Sequence, residues 1–343
     1  MSQTKSSRGS KPTVSVVGSG RLGTALAIAL ESSAYSILAL VARHPARARK
    51  ATALLGRPTL ALGANQIDKL PHSDFILITT PDDVIANAAR QLAVSQKGVA
   101  RGRTVLHTSG ALSSDVLSPL ADNGFHVGSI HPLVSVSDPR TGADALRSAF
   151  YCVEGDKVAL RVARSIVRDL KGEAFSVSSD MKALYHAAAV LASGHFVAQF
   201  DIAIEMLFAC GLNKARAREV LLPLMRSTVE NLSNHEPAHA LTGTFARSDA
   251  ATVQRHLAAL RGLESKDALA AYILLGRRSV KLARTLSGES TGLRTIAGSL
   301  NRADRDLQDG IEMEGEMNLS LLATRQPKRQ RPPKGVRASR KRS

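Results

Sequence analysis

The sequence predicts an α/β fold, a parallel β-sheet interleaved with helices and followed by an all-helical region. Three observations lead there. As far as about residue 155, short β-branched and aliphatic runs alternate with helix-like intervals, as in a doubly wound sheet. From about Asp156 onward only helical periodicity remains. With 343 residues, the chain is long enough for both parts to have a core.

The first run, Thr13-Val14-Ser15-Val16-Val17, leads into Gly18-Ser19-Gly20-Arg21-Leu22-Gly23 and then Thr24 to Leu30, small and aliphatic residues suited to a buried helix. Strand, G-x-G-x-x-G and helix in that order form a dinucleotide-binding fingerprint. Gly18 permits a tight turn, Gly20 lets backbone approach a pyrophosphate, and Gly23 lets helix and strand pack closely. Ser19, Arg21 and Leu22 complete a helix N-terminus whose free N–H groups and positive dipole end face the anion.

Further strands are predicted at Tyr35–Ala42, Asp74–Thr80, Arg103–His107 and His126–Ile130, with a shorter one at Ala149–Val153 adding at the edge. Helices fill the intervals Ala46–Leu55, Val84–Leu92 and Ser114–Leu120. Residues 12–155 therefore form the dinucleotide-binding domain. Residues 156–290 form a helical substrate and dimerisation domain. It begins with Lys157–Leu170, then a long helix capped by Ser179 or Asp180 and stopped after Ala209 by Cys210-Gly211. Asn213–Leu232 sets Leu221, Met225, Val229 and Leu232 on one face, with a kink at Pro223. Asp249–Leu260 and Lys266–Leu286 follow. Residues 291–324 are partly helical, and residues 1–11 and 325–343 are disordered.

Aromatic residues make up only 3 % of the chain and Trp is absent, so Ala, Leu and Val must fill the core. Two distant cysteines, Cys152 and Cys210, imply no disulfide framework and suit a reducing cytoplasm. The polar residues 1–11 do not resemble a secretory signal. Ala183–Phe200 lacks Asp, Glu, Lys and Arg, but it holds His186, Ser193, Gly194, His195 and Gln199 and reads as a helix buried between domains, not a membrane span. Nine of the 46 Lys and Arg fall in residues 325–343 without an acidic residue, and without them the net charge of +17 drops to +8. With no aromatic residue for base stacking, that tail reads as a solubilising appendage in preference to a nucleic-acid contact.

In an open parallel sheet, ligands bind beyond the carboxyl ends of the strands. Those ends carry Arg43-His44, Thr79-Thr80-Pro81-Asp82, His107-Thr108-Ser109 and His131-Pro132. Arg43 stands where a carboxylate that binds a ribose hydroxyl is expected; a guanidinium there favours a 2′-phosphate. The cofactor expected is NADP, with NAD as the second choice, held by the glycine turn, Arg43, Thr79, Thr80, Pro81 and Ser109.

The motifs Gly18–Gly23, Thr80-Pro81-Asp82-Asp83, His107 to Leu112 and Ser129 to Leu133 are joined in order by Leu184-Tyr185-His186-Ala187-Ala188-Ala189-Val190, Leu241-Thr242-Gly243 and Ala246 to Val253. Together they resemble the Rossmann-like oxidoreductases that carry a helical domain of unknown function 2520. These are similar in layout to pyrroline-5-carboxylate reductase, ketopantoate reductase and the β-hydroxyacid dehydrogenases. The resemblance spans about residues 12 to 286. It implies a Rossmann-type sheet, a helical domain like the carboxyl-terminal part of 6-phosphogluconate dehydrogenase, a nicotinamide cofactor, a small carbonyl, imine or hydroxy-acid substrate and a homodimer. The catalytic Lys of the β-hydroxyacid dehydrogenases has no counterpart, because Val190 aligns with it and Ser193-Gly194 falls near the following Asn. Thr244 and Ser248 replace the family's more usual Pro and Gly.

Three residues are the catalytic candidates. His186, one turn after Lys182, carries an imidazole, the side chain best suited to donate a proton near neutral pH. His131 can orient substrate, and Ser109 can bond the nicotinamide carboxamide or a substrate oxygen. The histidines lack metal-ligand spacing, so no metal is expected. A dinucleotide-binding sensor or assembly protein without turnover is the alternative reading.

Overall fold

The computed structural model describes residues 11–98, 102–263 and 265–324, with 310–324 given by their helical backbone alone. The disordered ends predicted at 1–11 and 325–343 lie outside the described residues, apart from Lys11. Two compact units divide between Phe196 and Val197.

The first unit follows the order β1 (Thr13–Val17), α1 (Arg21–Ser32), β2 (Ser36–Ala42), α2 (Pro45–Thr52), β3 (Leu60–Gly63), β4 (Phe75–Ile78) and α3 (Asp82–Ser95). It continues with β5 (Thr104–His107), α4 (Ser118–Ala121), β6 (His126–Pro132), α5 (Pro139–Ala145), β7 (Phe150–Gly155), α6 (Lys157–Asp169), β8 (Glu173–Phe175) and α7 (Lys182–Ala192). The eight strands form one sheet ordered β3-β2-β1-β4-β5-β6-β7-β8. Alternate residues of the central strands face opposite layers. Val14, Val16, Phe75 and Leu77 pack into one buried cluster with Leu26 and Leu30 of α1. Val17, Ile76 and Ile78 pack into the other with Ile85 and Leu92 of α3. Each buried aliphatic side chain contributes about 1.5–3 kcal/mol.

Two strand expectations need correction. β7 is an interior strand and runs antiparallel to β6, with His131 opposite Cys152 and Ser129 opposite Glu154. The chain turns back at the carboxyl edge of β6 through α5, whose N-cap Asp138 accepts from Arg140 and Thr141 N–H, instead of crossing the sheet. β3 and β8, four and three residues long, are too short for their sequences to mark them as strands. Since β8 pairs with β7, the sheet continues past residue 155 and takes α6 and α7 with it.

The predicted long helix is interrupted. Ser193, at φ −127° and ψ −76°, separates α7 from α8 (Gly194–Ala209), and its hydroxyl donates to the Ala189 carbonyl. Nor is this stretch buried: in the most apolar 18-residue window of Ser179–Ala209 no residue is buried, although the segment is long and apolar enough to cross a membrane. Within a single chain nothing covers Leu184, Leu191 or Val197.

Beyond Phe196, the rest of α8 leads to α9 (Lys214–Asn234), α10 (Pro237–Ala240), α11 (Gly243–Ala246), α12 (Ala250–Arg261), α13 (Lys266–Ser287) and α14 (Thr291–Thr324). Asn213 and Asp249 cap α9 and α12 through their side chains. The core of this unit joins Val253 and Leu257 of α12, Ile273 and Val280 of α13, and Leu293, Ile296 and Leu300 of α14. The predicted apolar face of α9 is half open, with Val229 and Leu232 about half exposed. Ser248 keeps a left-handed backbone at φ +56°, the conformation that glycine adopts most easily.

Gly23 is the tightest point of the sheet unit. A Cβ there would collide with the Gly18 carbonyl oxygen and Thr79 Oγ1. Gly23→Ala is therefore expected to cost about 1–3 kcal/mol, read as a lower urea midpoint with an unchanged slope.

Candidate functional site

Two cavities open at the carboxyl edge of the sheet. The first, about 340 Å³, lies over the turn between β1 and α1. Gly18 makes the turn at φ +115°, and a Cβ there would sit 2.6–2.8 Å from the backbone of Thr79 and Thr80. Thr79 Oγ1 donates to the Gly18 carbonyl at 2.6 Å and fastens the turn to β4. Gly20 faces open space, with nothing within 4 Å of the position of a Cβ. Gly18, Ser19, Gly20, Arg43, Thr79, Thr80 and Pro81 line the cavity. Arg21 and Leu22 sit in the first turn of α1 and Gly23 packs beneath it; none of the three lines the cavity.

The hydroxyls of Ser19 and Thr80 are buried without a partner among the described residues. Two orphaned polar groups beside an open glycine and a helix N-terminus suit a ligand rich in phosphate and hydroxyl oxygens. Arg47 also lines the cavity, so two exposed guanidinium groups, Arg43 and Arg47, stand at its end beyond β2. The residues present fit a dinucleotide.

The second cavity, about 470 Å³, is walled by the segment from His131 to Ser135 and by His186, Ala189, Val190, Ala192 and Ser193 of and just beyond α7. The rings of His131 and His186 stand edge to face with centroids 5.5 Å apart. His131 Nδ1 lies 2.6 Å from the Tyr185 hydroxyl, while His186 makes no hydrogen bond among the described residues. Gly110 presses against both imidazoles, and a Cβ on it would clash with His186 Cδ2 and lie 2.9 Å from His131 Nε2. Burial, the nearby His186 and the charge of Lys182 push the His131 pKa down to about 4. Burial first, then Lys182, takes His107 to about 3. His107 Nδ1 accepts the Ser109 N–H at 3.1 Å, which leaves Nε2–H to donate to the Ser113 carbonyl.

Ser109 is engaged within its own loop. Its hydroxyl donates to Asp82 at 2.8 Å and accepts the N–H groups of Ala111 and Leu112. Those bonds shape the loop after β5 and use the capacity expected for ligand. It lines neither cavity.

Four residues escaped the sequence reading: Lys182, Tyr185, Ser129 and Glu154. Lys182 is completely buried, and its ammonium donates to Ser129 Oγ at 2.7 Å and to the Ser109 carbonyl at 3.3 Å. Ser129 Oγ lies 3.4 Å from Glu154, whose carboxylate also accepts Ser114 N–H and Oγ–H at 2.9 and 2.6 Å. Burial pushes the Lys182 pKa down, and Glu154, Cys152 and Asp82 oppose that shift. Spacing held a signal for Lys182, one helical turn before His186; nothing local pointed to Glu154. Among the described residues no three His, Cys, Asp or Glu side chains gather as metal ligands.

Residues 1–132 match the family model of a Rossmann-like domain, and residues 149–279 match that of a domain of unknown function, DUF2520. The chain is a Rossmann-like domain, the dinucleotide-binding fold, joined to a DUF2520 domain. No curated protein matches it. A Thermotoga maritima protein of solved structure is similar at 22 % identity and a TM-score of 0.61, over 79 % of this chain and 98 % of its own. A proposed NADP oxidoreductase from Bacteroides fragilis is similar at 20 % identity and 0.61, over 82 % and 99 %. A pyrroline-5-carboxylate reductase from Coxiella burnetii reaches 12 % and 0.50, over 87 % and 98 %. At these identities the likeness is one of fold.

The two depressed histidines make stability depend on pH. Between the ordinary 6.5 and about 4 for His131, or about 3 for His107, the unfolded chain binds protons that the native protein refuses. Their contribution is complete above pH 6.5 and falls away as the pH drops through that window. Urea midpoints measured from pH 7 to pH 4 should fall steadily, and His131→Asn should flatten the slope; an equal slope in the variant contradicts the assignment.

Proposed function

We propose that the protein is a nicotinamide-dependent oxidoreductase, preferring NADP, that acts on a small carbonyl, imine or hydroxy-acid substrate. The observation that carries this reading is the glycine cradle at the sheet edge, lined by Gly20, where nothing lies within 4 Å of a Cβ, and by Ser19 and Thr80, whose hydroxyls have no partner among the described residues. Gly18 to Gly20 and the N-terminus of α1 would hold the pyrophosphate. Arg43 and Arg47 would meet the 2′-phosphate, where a carboxylate would repel it. When bound, the dinucleotide supplies or accepts the hydride.

The protein's own part is to bind substrate and move a proton. His186 has no internal bond to break and lines the second cavity, so it is the proton donor in the reducing direction. His131 is held by Tyr185 and stays neutral at pH 7, which suits it to orient a substrate oxygen or nitrogen. The similarity to the proposed NADP oxidoreductase of Bacteroides fragilis supports an NADP-linked reaction by analogy of fold.

The molecule acts as a homodimer through its helical part, in the cytoplasm. Leu191 on α7 is an exposed apolar residue of the first unit, and Val197 and Phe208 on α8 and Leu224 on α9 are exposed apolar residues of the second. A second copy, carrying the same residues, would cover them. Sedimentation equilibrium should give twice the chain mass, and Leu191→Asp should give a monomer; a wild-type monomer refutes this assembly.

Nicotinamide fluorescence tests the cofactor. NADPH is expected to bind at least about tenfold more tightly than NADH, and Arg43→Ala to weaken NADPH by about 10- to 100-fold while leaving NADH unchanged. Equal binding of the two removes the 2′-phosphate role, and binding of neither removes the oxidoreductase reading. His186→Ala should abolish turnover and keep NADPH affinity; undiminished turnover sinks the proton-donor assignment.

A further inference from the structure

Directly beneath the two-histidine cavity, an ammonium group is buried where no substrate reaches it. Lys182 is completely enclosed and opens the first turn of α7. A buried ammonium is tolerated only when it is hydrogen-bonded and faced by an anion. Both conditions are met by three separate elements. The Ser109 carbonyl of the loop after β5 accepts one bond, Ser129 Oγ of β6 accepts another, and Glu154 of β7 lies beyond Ser129 as the counter-charge.

The sheet register explains what this arrangement does. Ser129 and His131 lie on one face of β6, and the antiparallel pairing sets Glu154 opposite the first and Cys152 opposite the second. The first turns of α7 cover both levels: Lys182 meets Ser129, and Tyr185, three residues on, bonds His131. His186, four residues on, meets the same imidazole edge to face.

We propose that Lys182 is the positioning residue of the two-histidine cavity: its buried ammonium pins α7 to β6 and to the loop after β5, and so sets where Tyr185 and His186 meet His131. The same charge helps to keep His131 uncharged. Four other groups stand around that imidazole: His186, which also disfavours its protonation, Tyr185 in direct contact, the Cys152 thiol beside Tyr185, and buried His107 on β5. Glu154 and Asp82 face Lys182 itself. With Nδ1 engaged by Tyr185, an uncharged imidazole can present Nε2 to a substrate as an acceptor or, in the other tautomer, as a donor; a protonated one presents it as a donor alone. Lys182 thereby sets the character of the cavity without touching what binds in it.

This role in catalysis rests on the oxidoreductase reading, whereas its role in placing the imidazoles does not, and two measurements separate them. The first is an NMR titration of the histidine rings in the full chain without cofactor, with His131 assigned from His131→Asn. His131 should stay neutral from pH 8 to pH 5 in the wild type. In Lys182→Met its midpoint should rise by about one pH unit or more, and Lys182→Arg, which keeps the charge, should hold it down. Ser129→Ala, which removes the shorter bond but no charge, should displace the His131 and His186 ring signals together while circular dichroism stays unchanged.

The second measurement is the pH profile of kcat/KM with NADPH. Its acid limb should move upward by about the same interval in Lys182→Met, with NADPH affinity unchanged. A folded Lys182→Met in which His131 titrates as in the wild type overturns the proposal. If Lys182→Met does not fold, the wild-type titration and Ser129→Ala decide: a wild-type His131 midpoint near 6.5, or unmoved ring signals in Ser129→Ala, overturns it as well. Absence of any turnover in the wild type would defeat the oxidoreductase reading and leave the ring titration to judge Lys182.

Discussion

The sheet unit depends on how closely three backbone segments approach one another at Gly18, Gly23 and Thr79. Gly23 brings α1 against the Gly18 carbonyl, and Thr79 Oγ1 donates to that same carbonyl from the end of β4. No side chain larger than hydrogen fits at Gly18 or Gly23 without displacing backbone. The contact therefore fixes the angle of α1 over the sheet, and with it the direction of the helix N-terminus. At Gly20, alone of the three, nothing lies within 4 Å of the position of a Cβ.

A second arrangement begins where the parallel order ends. Had β7 crossed over to run parallel, its residues would meet β6 in a different register. By turning back through α5 it sets Glu154 against Ser129 and Cys152 against His131. One face of two strands then holds an acid, a thiol, a hydroxyl and an imidazole, and α7 covers them with Lys182 and Tyr185. Burying a lysine carries a desolvation cost of several kcal/mol, offset here by Glu154 and by two oxygen acceptors. The exposed apolar residues of α8 and α9 are the opposite case, groups that ordinary burial would cover and that this chain leaves uncovered.

Much of this was legible because local patterns carry local physics. The strand–glycine–helix order located the first cavity, and Arg43, Thr79, Thr80 and Pro81 were placed on it by counting along the chain. His131 and His186 were each singled out for their chemistry, and the fold brings them within 5.5 Å. A serine at a strand end has the same appearance in sequence whatever its hydroxyl bonds; the structure shows Ser109 bonded to Asp82, Ala111 and Leu112. Three-residue β8 and four-residue β3 offer too few positions for any periodicity to register.

By itself, the sequence determined the alternation of strands and helices, the change to a helical region and the dinucleotide fingerprint. These depend on φ/ψ preference, on apolar periodicity and on hydrogen bonds within a few residues. Only the tertiary structure decided the direction of β7, the break at Ser193, the exposure of α8 and the partnership of Lys182 with Ser129 and Glu154. Lys182 and Ser129 are 53 residues apart, and Glu154 reaches Ser129 only through strand pairing. Whether a buried charge is tolerated depends on what surrounds it in space, and that environment exists only once the distant segments have packed.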